Sequence, residues 1–364
     1  MDEKIAARII IKYLKKGNMA RCLRDILPSS DLSKEQREKI AGLVHNVVRW
    51  KKLYEHIMEI RGLKPSAENY VKLAINSSQT SASSYPFEYR YSCSSYVAHV
   101  LKNHEELAEF LNETPPTTLC INFNKSTVDE IMNMLHQETL PAERSLLRTA
   151  IITSSISKYS NVIQQHLAHV QDESSQLVSL LTTTFGESIF DYCAGNGGKC
   201  LAIASITKNG KKLYAYEMNS IKRTTLKRRC IDYNANVTIE DSPSKKKYDT
   251  VLVDAPCTGL GAARRNPEVK YIESPGNLPQ TQLSILNKAA ENVNTGGTLF
   301  YVVCTMTPEE TTQVIQTFMK NKGFTLLSFT DIPYKEYLLR DKYGAFTNLP
   351  QGDVFFLSIL KREQ

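Results

Sequence analysis

The sequence predicts an α/β protein whose main body is a doubly wound, mainly parallel sheet, preceded by an all-α region and a small α/β module. Three observations carry that reading. From about residue 171, short apolar runs alternate with helical stretches, the pattern of a parallel sheet covered on both faces. Residues 1 to about 75 instead place Ile5, Ile9 and Leu14, then Ile40, Leu43 and Val47, at helical spacing without strand-like alternation. Between the two, the pattern changes at Thr118, where a strand-like run leads into a capped helix.

Taken in order, INSSQTSASSYPFEYRYSCSSY (75–96) is rich in Ser and Tyr with a lone Pro, and reads as a loop or domain junction. A helix is expected from Ser95 to Leu111, ending before Pro115-Pro116, which bias the chain toward extended structure. TLCINF reads as a strand, and STVDEIMNML as a helix with a Ser/Thr cap and acids in its first turn. The later strands are SIFDYCA (188–194), KLYAYEM (212–218), NVTIED (236–241), DTVLVDA (249–255) and TLFYVVCT (298–305). Helices are expected at 199–207, 219–233, 279–293 and 308–321, and FTLLSF and DVFFLSIL add two final strands. The expected domains are therefore 1–115, 116–170 and 171–364, with no internal repeat.

Composition excludes several classes. With 41% apolar and 23% charged residues the chain has ample core for a soluble globular protein. Its longest apolar runs, such as ARIII and TLFYVV, are far shorter than a membrane span. The MDEK start opens an amphipathic pattern rather than a secretory signal, so a cytoplasmic location is expected. The eight cysteines include no C-x-x-C pair, and all seven histidines lie between His45 and His169. That argues against zinc; reduced thiols and no metal are expected. The net charge of +7 decides little by itself. Its clustering at 49–64, 222–229, 245–247 and Arg264-Arg265 points toward a polyanionic partner.

Parallel sheets of this kind bind ligands at the carboxyl ends of their strands. There, DYCAGNGGKC (191–200) places Gly195, Gly197 and Gly198 where the first strand turns into a helix. A dinucleotide fingerprint would need glycine at Cys200 and a phosphate loop would need it at Cys193, so both nucleotide readings fail. Glu217 ends the second strand, Asp241 the third and Asp254 the fourth. An acid at the second position commonly accepts from ribose hydroxyls. Glycine followed by three strand-end acids suggests a nucleoside-bearing cofactor without pyrophosphate, and S-adenosylmethionine fits. Cys257 follows the fourth strand and Cys304 ends the fifth. One such cysteine reads as a small buried hydrophobe. Two at adjacent strand tips, about 4.8 Å apart in the sheet, can share one pocket.

DYCAGNGGKC, VDAPCTGLGAARRNPE, VVCT and VQDESSQLV together resemble the Sun-type family of RNA (cytosine-5) methyltransferases, across about 171–361. The upstream layout is similar to the bacterial small-subunit ribosomal RNA methyltransferase B (RsmB) branch, with its NusB-like helical domain and a small module like ETPPTTLCINFNKS. The resemblance implies a Rossmann-like methyltransferase core in which Cys304 attacks carbon 6 of cytosine and Cys257 helps release the product. It also implies cofactor contacts from Cys193, Ala194, Gly195, Asn196, Gly197, Gly198 and Lys199, and from Glu217, Asp241 and Asp254. Lys222 stands near a position where the family often has arginine, and is expected among the cofactor contacts. Gly195-Asn196 replace the family's Ala-Pro, Val303 a threonine and Val354 a glycine, and 65–95 is compressed.

Carbon 5 of cytosine is a poor nucleophile until a thiolate adds to carbon 6 and makes it enamine-like, so the chemistry needs an ionisable cysteine. Asp254 is expected to hydrogen-bond the cytosine edge and Lys199 to contribute positive charge. Because a duplex hides carbon 6, the target is expected unpaired or flipped. Arg264, Arg265 and the basic helix would hold flanking phosphates. The expectation is a monomeric RNA cytosine-5 methyltransferase acting on small-subunit ribosomal RNA, with transfer RNA the second choice. Three alternatives stay open: a degenerate RNA-binding or ribosome-assembly factor, a small-molecule methyltransferase, and a DNA-type chemistry with Cys257 as the attacking thiol.

Overall fold

The computed structural model of the chain describes residues 2–28, 31–76, 85–242, 245–320 and 323–363. Those residues pack as two units: 1–114 with 262–274, and 115–261 with 275–364. Packing thus joins the expected small module to the sheet, and assigns 262–274, expected in the core, to the helical unit. No helix of the described residues is long and apolar enough to cross a membrane.

The first unit contains α1 (Asp2–Lys16), α2 (Met19–Ile26), α3 (Lys34–Arg49), α4 (Lys51–Ile60) and α5 (Ala67–Asn76), then the short α6 (Phe87–Arg90), α7 (Ser95–Leu101) and α8 (Glu105–Phe110). Ala6, Ile9, Ile10 and Tyr13 of α1 are buried with Ile40, Val44 and Val47 of α3 in one apolar core. A capping box starts α3, with the Ser33 hydroxyl accepting from Gln36 N and the Gln36 side chain accepting from Ser33 N; such caps contribute about 1 kcal/mol. The expected helix 95–111 is broken between α7 and α8. Of the expected loop 75–96, residues 77–84 lie outside the described residues, and α6 occupies part of the remainder.

Residues 262–274 complete this core. The Lys270 ammonium is 1% exposed and donates to the carbonyls of Arg49 (2.8 Å) and Tyr91 (3.1 Å) and to Asn112 Oδ1. Burial pulls its pKa down to about 7; the three acceptors are what compensates a charge there. The Tyr271 hydroxyl donates to Val48 O at 2.7 Å.

The second unit opens with β1 (Thr117–Ile121), α9 (Val128–Gln137), β2 (Ala142–Arg144), β3 (Ala150–Thr153), α10 (Asn161–Gln164) and β4 (Ala168–Val170), whose strands form an antiparallel sheet in the order β2-β3-β1-β4. A buried helix follows, α11 (Glu173–Thr182). Its Ser179 and Thr182 hydroxyls donate back to Ser175 O and Val178 O, so a polar sequence tolerates full burial.

The large sheet and its helices are β5 (Ser188–Asp191), α12 (Gly198–Ile206), β6 (Lys212–Tyr216), α13 (Ser220–Asp232), β7 (Val237–Glu240), β8 (Tyr248–Asp254), α14 (Leu278–Ala290), β9 (Val293–Val303), α15 (Thr312–Phe318), β10 (Phe324–Leu326), β11 (Leu338–Asp341), β12 (Gly344–Thr347) and β13 (Phe356–Arg362). Among the described residues the order is β11-β12-β13-β9-β8-β5-β6-β7, with β10 also on β13. The strands from β9 to β7 are parallel. Successive side chains enter opposite cores: Ile189, Leu252, Phe300 and Val302 on one face, Phe190, Val251, Val253, Tyr301 and Val303 on the other. This is the α/β, doubly wound fold expected. The small module rests on α12 and α13, where Phe123 N donates to Ser205 Oγ at 2.7 Å and Asn122 Nδ2 to Tyr233 O at 2.9 Å.

Three boundaries differ. The expected helix 279–293 ends at Ala290 and Val293 already starts β9. The expected helix 308–321 is a 3-10 turn, Pro308–Glu310, followed by α15; residues 321–322 lie outside the described residues. The β11–β12 hairpin had no counterpart in the expected elements.

Candidate active site

The parallel strands carry the expected residues along one edge of the sheet in spatial order. Cys304 follows β9, Asp254 ends β8 with Cys257 three residues on, residues 193–198 follow β5, Glu217 follows β6 and Asp241 follows β7. The chain runs outward from β5 through β6 and β7, then returns to β8 on the other side of β5. That reversal makes the β5/β8 crevice the topological switch point where such sheets bind ligands.

Lys199, in the first turn of α12, spans this crevice and donates to Asp254 Oδ2 at 2.6 Å. Its side chain is 8% exposed and that of Asp254 34%. Burial alone would lower the Lys199 pKa, but the Asp254 carboxylate more than offsets it and the net shift is upward. Lys199 is therefore a fixed cation, seated also over the Phe355 ring at 5.4 Å. Asp191, fully buried at the end of β5, accepts from Cys193 N and from the Cys200 thiol. Burial pushes its pKa up to about 6.

The glycine loop is shaped by two left-handed residues, Gly195 (φ +56°) and Gly197 (φ +89°). A Cβ at Gly195 would meet nothing within 4 Å, so the space beside it is open, whereas one at Gly197 would strike Leu226 at 2.5 Å. Glu217 ties this loop to the next: one oxygen accepts from Gly195 N at 2.8 Å and the other from Asn219 N at 2.7 Å. A carboxylate offers about four acceptor sites, which leaves capacity for hydroxyl donors of a ligand. Ala194 is buried, with its N–H bonded to Tyr216 O; Asn196 is exposed and its carbonyl accepts from Arg229. Burial, then the neighbouring carboxylates, raise the Cys193 thiol pKa. Gly198 lies near Gln171. Asp241 is exposed and pairs with Arg223 (3.4 Å) and Lys227 (3.3 Å), while Lys222 is exposed on the first turn of α13.

The sulfurs of Cys257 and Cys304 are 3.4 Å apart. The register of β8 on β9, with Asp254 opposite Val302, brings the two tips level. The hydrogen bond to Cys304, and then burial, raise the pKa of the Cys257 thiol.

Sequence reasoning missed a polar cluster beneath these loops. The buried Glu310 carboxylate accepts from Thr258 N and Oγ1, Gln282 Nε2 and Thr307 Oγ1. The available signal was the density of threonines after both cysteines, in PCTG and VCTMTPEE.

Arg264 does not fit its expected role. Arg264 is 2% exposed within the helical unit, its guanidinium 4.1 Å from the Phe110 ring centroid and 3.7 Å from Glu113, and its carbonyl accepts from Arg49. It cannot reach a phosphate from there, because an aromatic ring and the helical core enclose it. Arg265 is half-buried.

A family model described as 16S rRNA methyltransferase RsmB/F matches residues 178–361. Among curated proteins, the chain is 31% identical over 222 residues to the probable ribosomal RNA small subunit methyltransferase B of Bacillus subtilis (strain 168), covering 57% of this chain and 49% of that protein. It is 29% identical over 277 residues to ribosomal RNA small subunit methyltransferase B of Enterobacter sp. (strain 638), covering 71% and 63%. The chain thus spans about half to just under two thirds of the length of these relatives. A solved structure of PH0851 matches with a TM-score of 0.79 at 21% identity, covering 100% of this chain and 99% of that one, a likeness of fold.

Proposed function

The chain belongs to the RsmB/F family of 16S rRNA methyltransferases, and on that premise we propose that it methylates carbon 5 of a cytidine in small-subunit ribosomal RNA through a covalent cysteine–cytosine adduct. The observation that carries this reading is the pair of sulfurs, 3.4 Å apart, beside the Lys199–Asp254 ion pair.

S-adenosylmethionine fits the donor set: open space at Gly195, backbone from 193–198, and the Glu217 carboxylate poised for ribose hydroxyls. When bound it supplies an electrophilic methyl group. Every other part of the reaction falls to side chains. In this reading Cys304, level with Cys257 at the strand tips, is the attacking thiolate, and its sulfur forms a bond to carbon 6 of the base. The carbon 5–carbon 6 electron pair moves to carbon 5, making it nucleophilic toward the methyl group the cofactor would supply as its own sulfur–methyl bond breaks. Asp254, held by Lys199, accepts from the exocyclic amine of cytosine. Afterwards the proton on carbon 5 must leave, and its electrons re-form the double bond as the Cys304 sulfur departs. Cys257, whose sulfur lies 3.4 Å from that of Cys304, assists this release, and the carbon 5 proton passes to a base. The target base must be unstacked to enter the crevice.

A covalent trapping assay tests the reading. Wild type, Cys257→Ala and Cys304→Ala are each incubated with S-adenosylmethionine and 16S ribosomal RNA, then run on a denaturing gel. An RNA-linked band that accumulates in Cys257→Ala and vanishes in Cys304→Ala is expected. An active Cys304→Ala with a dead Cys257→Ala would transfer the attack to Cys257. Cofactor binding without methyl transfer would leave a degenerate RNA-binding factor.

A further inference from the structure

Glu310 lies six residues beyond Cys304, is 0% exposed, and hydrogen-bonds none of the groups assigned to substrate or cofactor. Its contacts are distributed in an informative way. Oε1 accepts from Thr258 N at 2.9 Å and Gln282 Nε2 at 2.9 Å; Oε2 accepts from Thr258 Oγ1 at 2.5 Å and Thr307 Oγ1 at 2.8 Å. Thr258 follows Cys257, and Thr305, which follows Cys304, bonds the Thr258 hydroxyl at 3.0 Å. Gln282 also donates to Pro256 O at 2.9 Å, so the cluster grips the chain on both sides of Cys257. The other cysteine is flanked too, since the Tyr301 hydroxyl donates to Glu310 O at 2.6 Å. The groups that hydrogen-bond this carboxylate all donate to it.

We propose that Glu310 is a positioning residue that locks the loops after β8 and β9 together and thereby sets the separation of the Cys257 and Cys304 sulfurs. The inference rests on the two-cysteine reading for its catalytic meaning, though the sulfur geometry can be read without catalysis. A carboxylate is suited to the task because one group must satisfy several donors at once. An amide in its place would present its own NH2 to them, and a thiol pair misplaced by about 1 Å is enough to lose about a hundredfold in rate.

The test compares wild type with Glu310→Gln, Thr258→Val and Thr258→Ser. Diamide oxidises the two thiols to a disulfide: they give up two electrons and two protons, the S–S bond forms, and the reagent's N=N bond becomes a hydrazine. A sulfur pair already 3.4 Å apart needs little movement to close. The Cys257–Cys304 cross-link, followed by peptide mass mapping, is expected to slow about tenfold or more in Glu310→Gln and Thr258→Val. Thr258→Ser, which keeps the hydroxyl, is expected to restore it. In parallel, kcat for RNA methylation should fall about a hundredfold with the KM for S-adenosylmethionine unchanged. If Glu310→Gln does not fold, the Thr258 pair carries the test by itself. Cross-linking at the wild-type rate in the folded variants overturns the proposal, whatever happens to kcat. Slowed cross-linking in a chain whose wild type transfers no methyl upholds the positioning role and overturns the proposed reaction instead.

Discussion

Replacing Gly261 by alanine isolates how closely three strand tips converge behind the cysteines. A Cβ there would lie 1.9 Å from Val354 O, 2.9 Å from Val354 C and 3.1 Å from Cys304 O. Real Cβ atoms do not come within 3.0 Å of such neighbours, so backbone must move by about an ångström. The same glycine donates to Cys304 O and accepts from Val354 N, both at 3.0 Å, so movement breaks the bonds that join these loops. Two backbone hydrogen bonds and the overlap together amount to about 3–5 kcal/mol. For a unit of this size that lowers Tm by roughly 6–20 °C. Thermal unfolding by circular dichroism reads the stability, and single-turnover methylation reads the displacement of Cys304. If the loop shifts instead of the fold yielding, kcat falls while Tm is spared. A Tm within about 1 °C of wild type together with kcat within about twofold would refute the reasoning. Gly195→Ala is the control: φ is +56° but the space is open, so only left-handed strain of about 1 kcal/mol is expected.

Lys199→Met removes the partner of Asp254 from the crevice. Because a third of Asp254 remains in contact with solvent, the stability loss should be about 1–3 kcal/mol, below that of a fully buried pair, while methyl transfer is lost; melting curves and radiolabel transfer check the two. Asp249 accepts from Glu187 N, Ser188 N, the Ser188 hydroxyl and Asn294 Nδ2. Burial raises its pKa, but these bonds prevail and bring it to about 2. Its stabilisation is therefore complete above the unfolded carboxylate value near 4 and is lost as pH falls toward 2. Asp249→Asn should lower stability at pH 7 and flatten the acid limb in urea titrations between pH 5 and 2, and an unchanged limb would count against the assignment. Arg264→Ala should destabilise the helical unit by about 2–3 kcal/mol through lost packing. It should leave the salt dependence of RNA affinity unchanged, whereas loss of a phosphate contact would reduce that slope by about one.

The large sheet was legible because its strands carry their own signal. Runs such as VLVD and TLFYVV are apolar on both faces, and their tips collect glycine, acids and cysteines whatever the rest of the chain does. The small sheet was less legible: β2, β3 and β4 are three or four residues long, too short for a period to register. The β11–β12 hairpin closes on Lys342-Tyr343, without the Asn-Gly or Asp-Gly signal of a two-residue turn. Arg264 misled because a charged pair in a loop is ordinarily solvated, and what encloses it, Phe110 and Glu113, lies some 150 positions away in sequence. Glu310 was hidden for the same reason, its partners being 52, 28 and 3 residues distant. Local periodicity reports strands and helices; a buried polar cluster is a property of their assembly.

The segment 262–274 imposes an order in time on the making of this protein. The ribosome finishes the helices of residues 1–114 and must then add 115–261 before their last component emerges. At ordinary translation speeds that delay is roughly 7–30 s. Throughout it the carbonyls of Arg49, Tyr91 and Val48 wait without the Lys270 ammonium and Tyr271 hydroxyl that will satisfy them. The nascent helical unit is thus held half-made while the sheet is being synthesised, the interval in which a chaperone has most to protect.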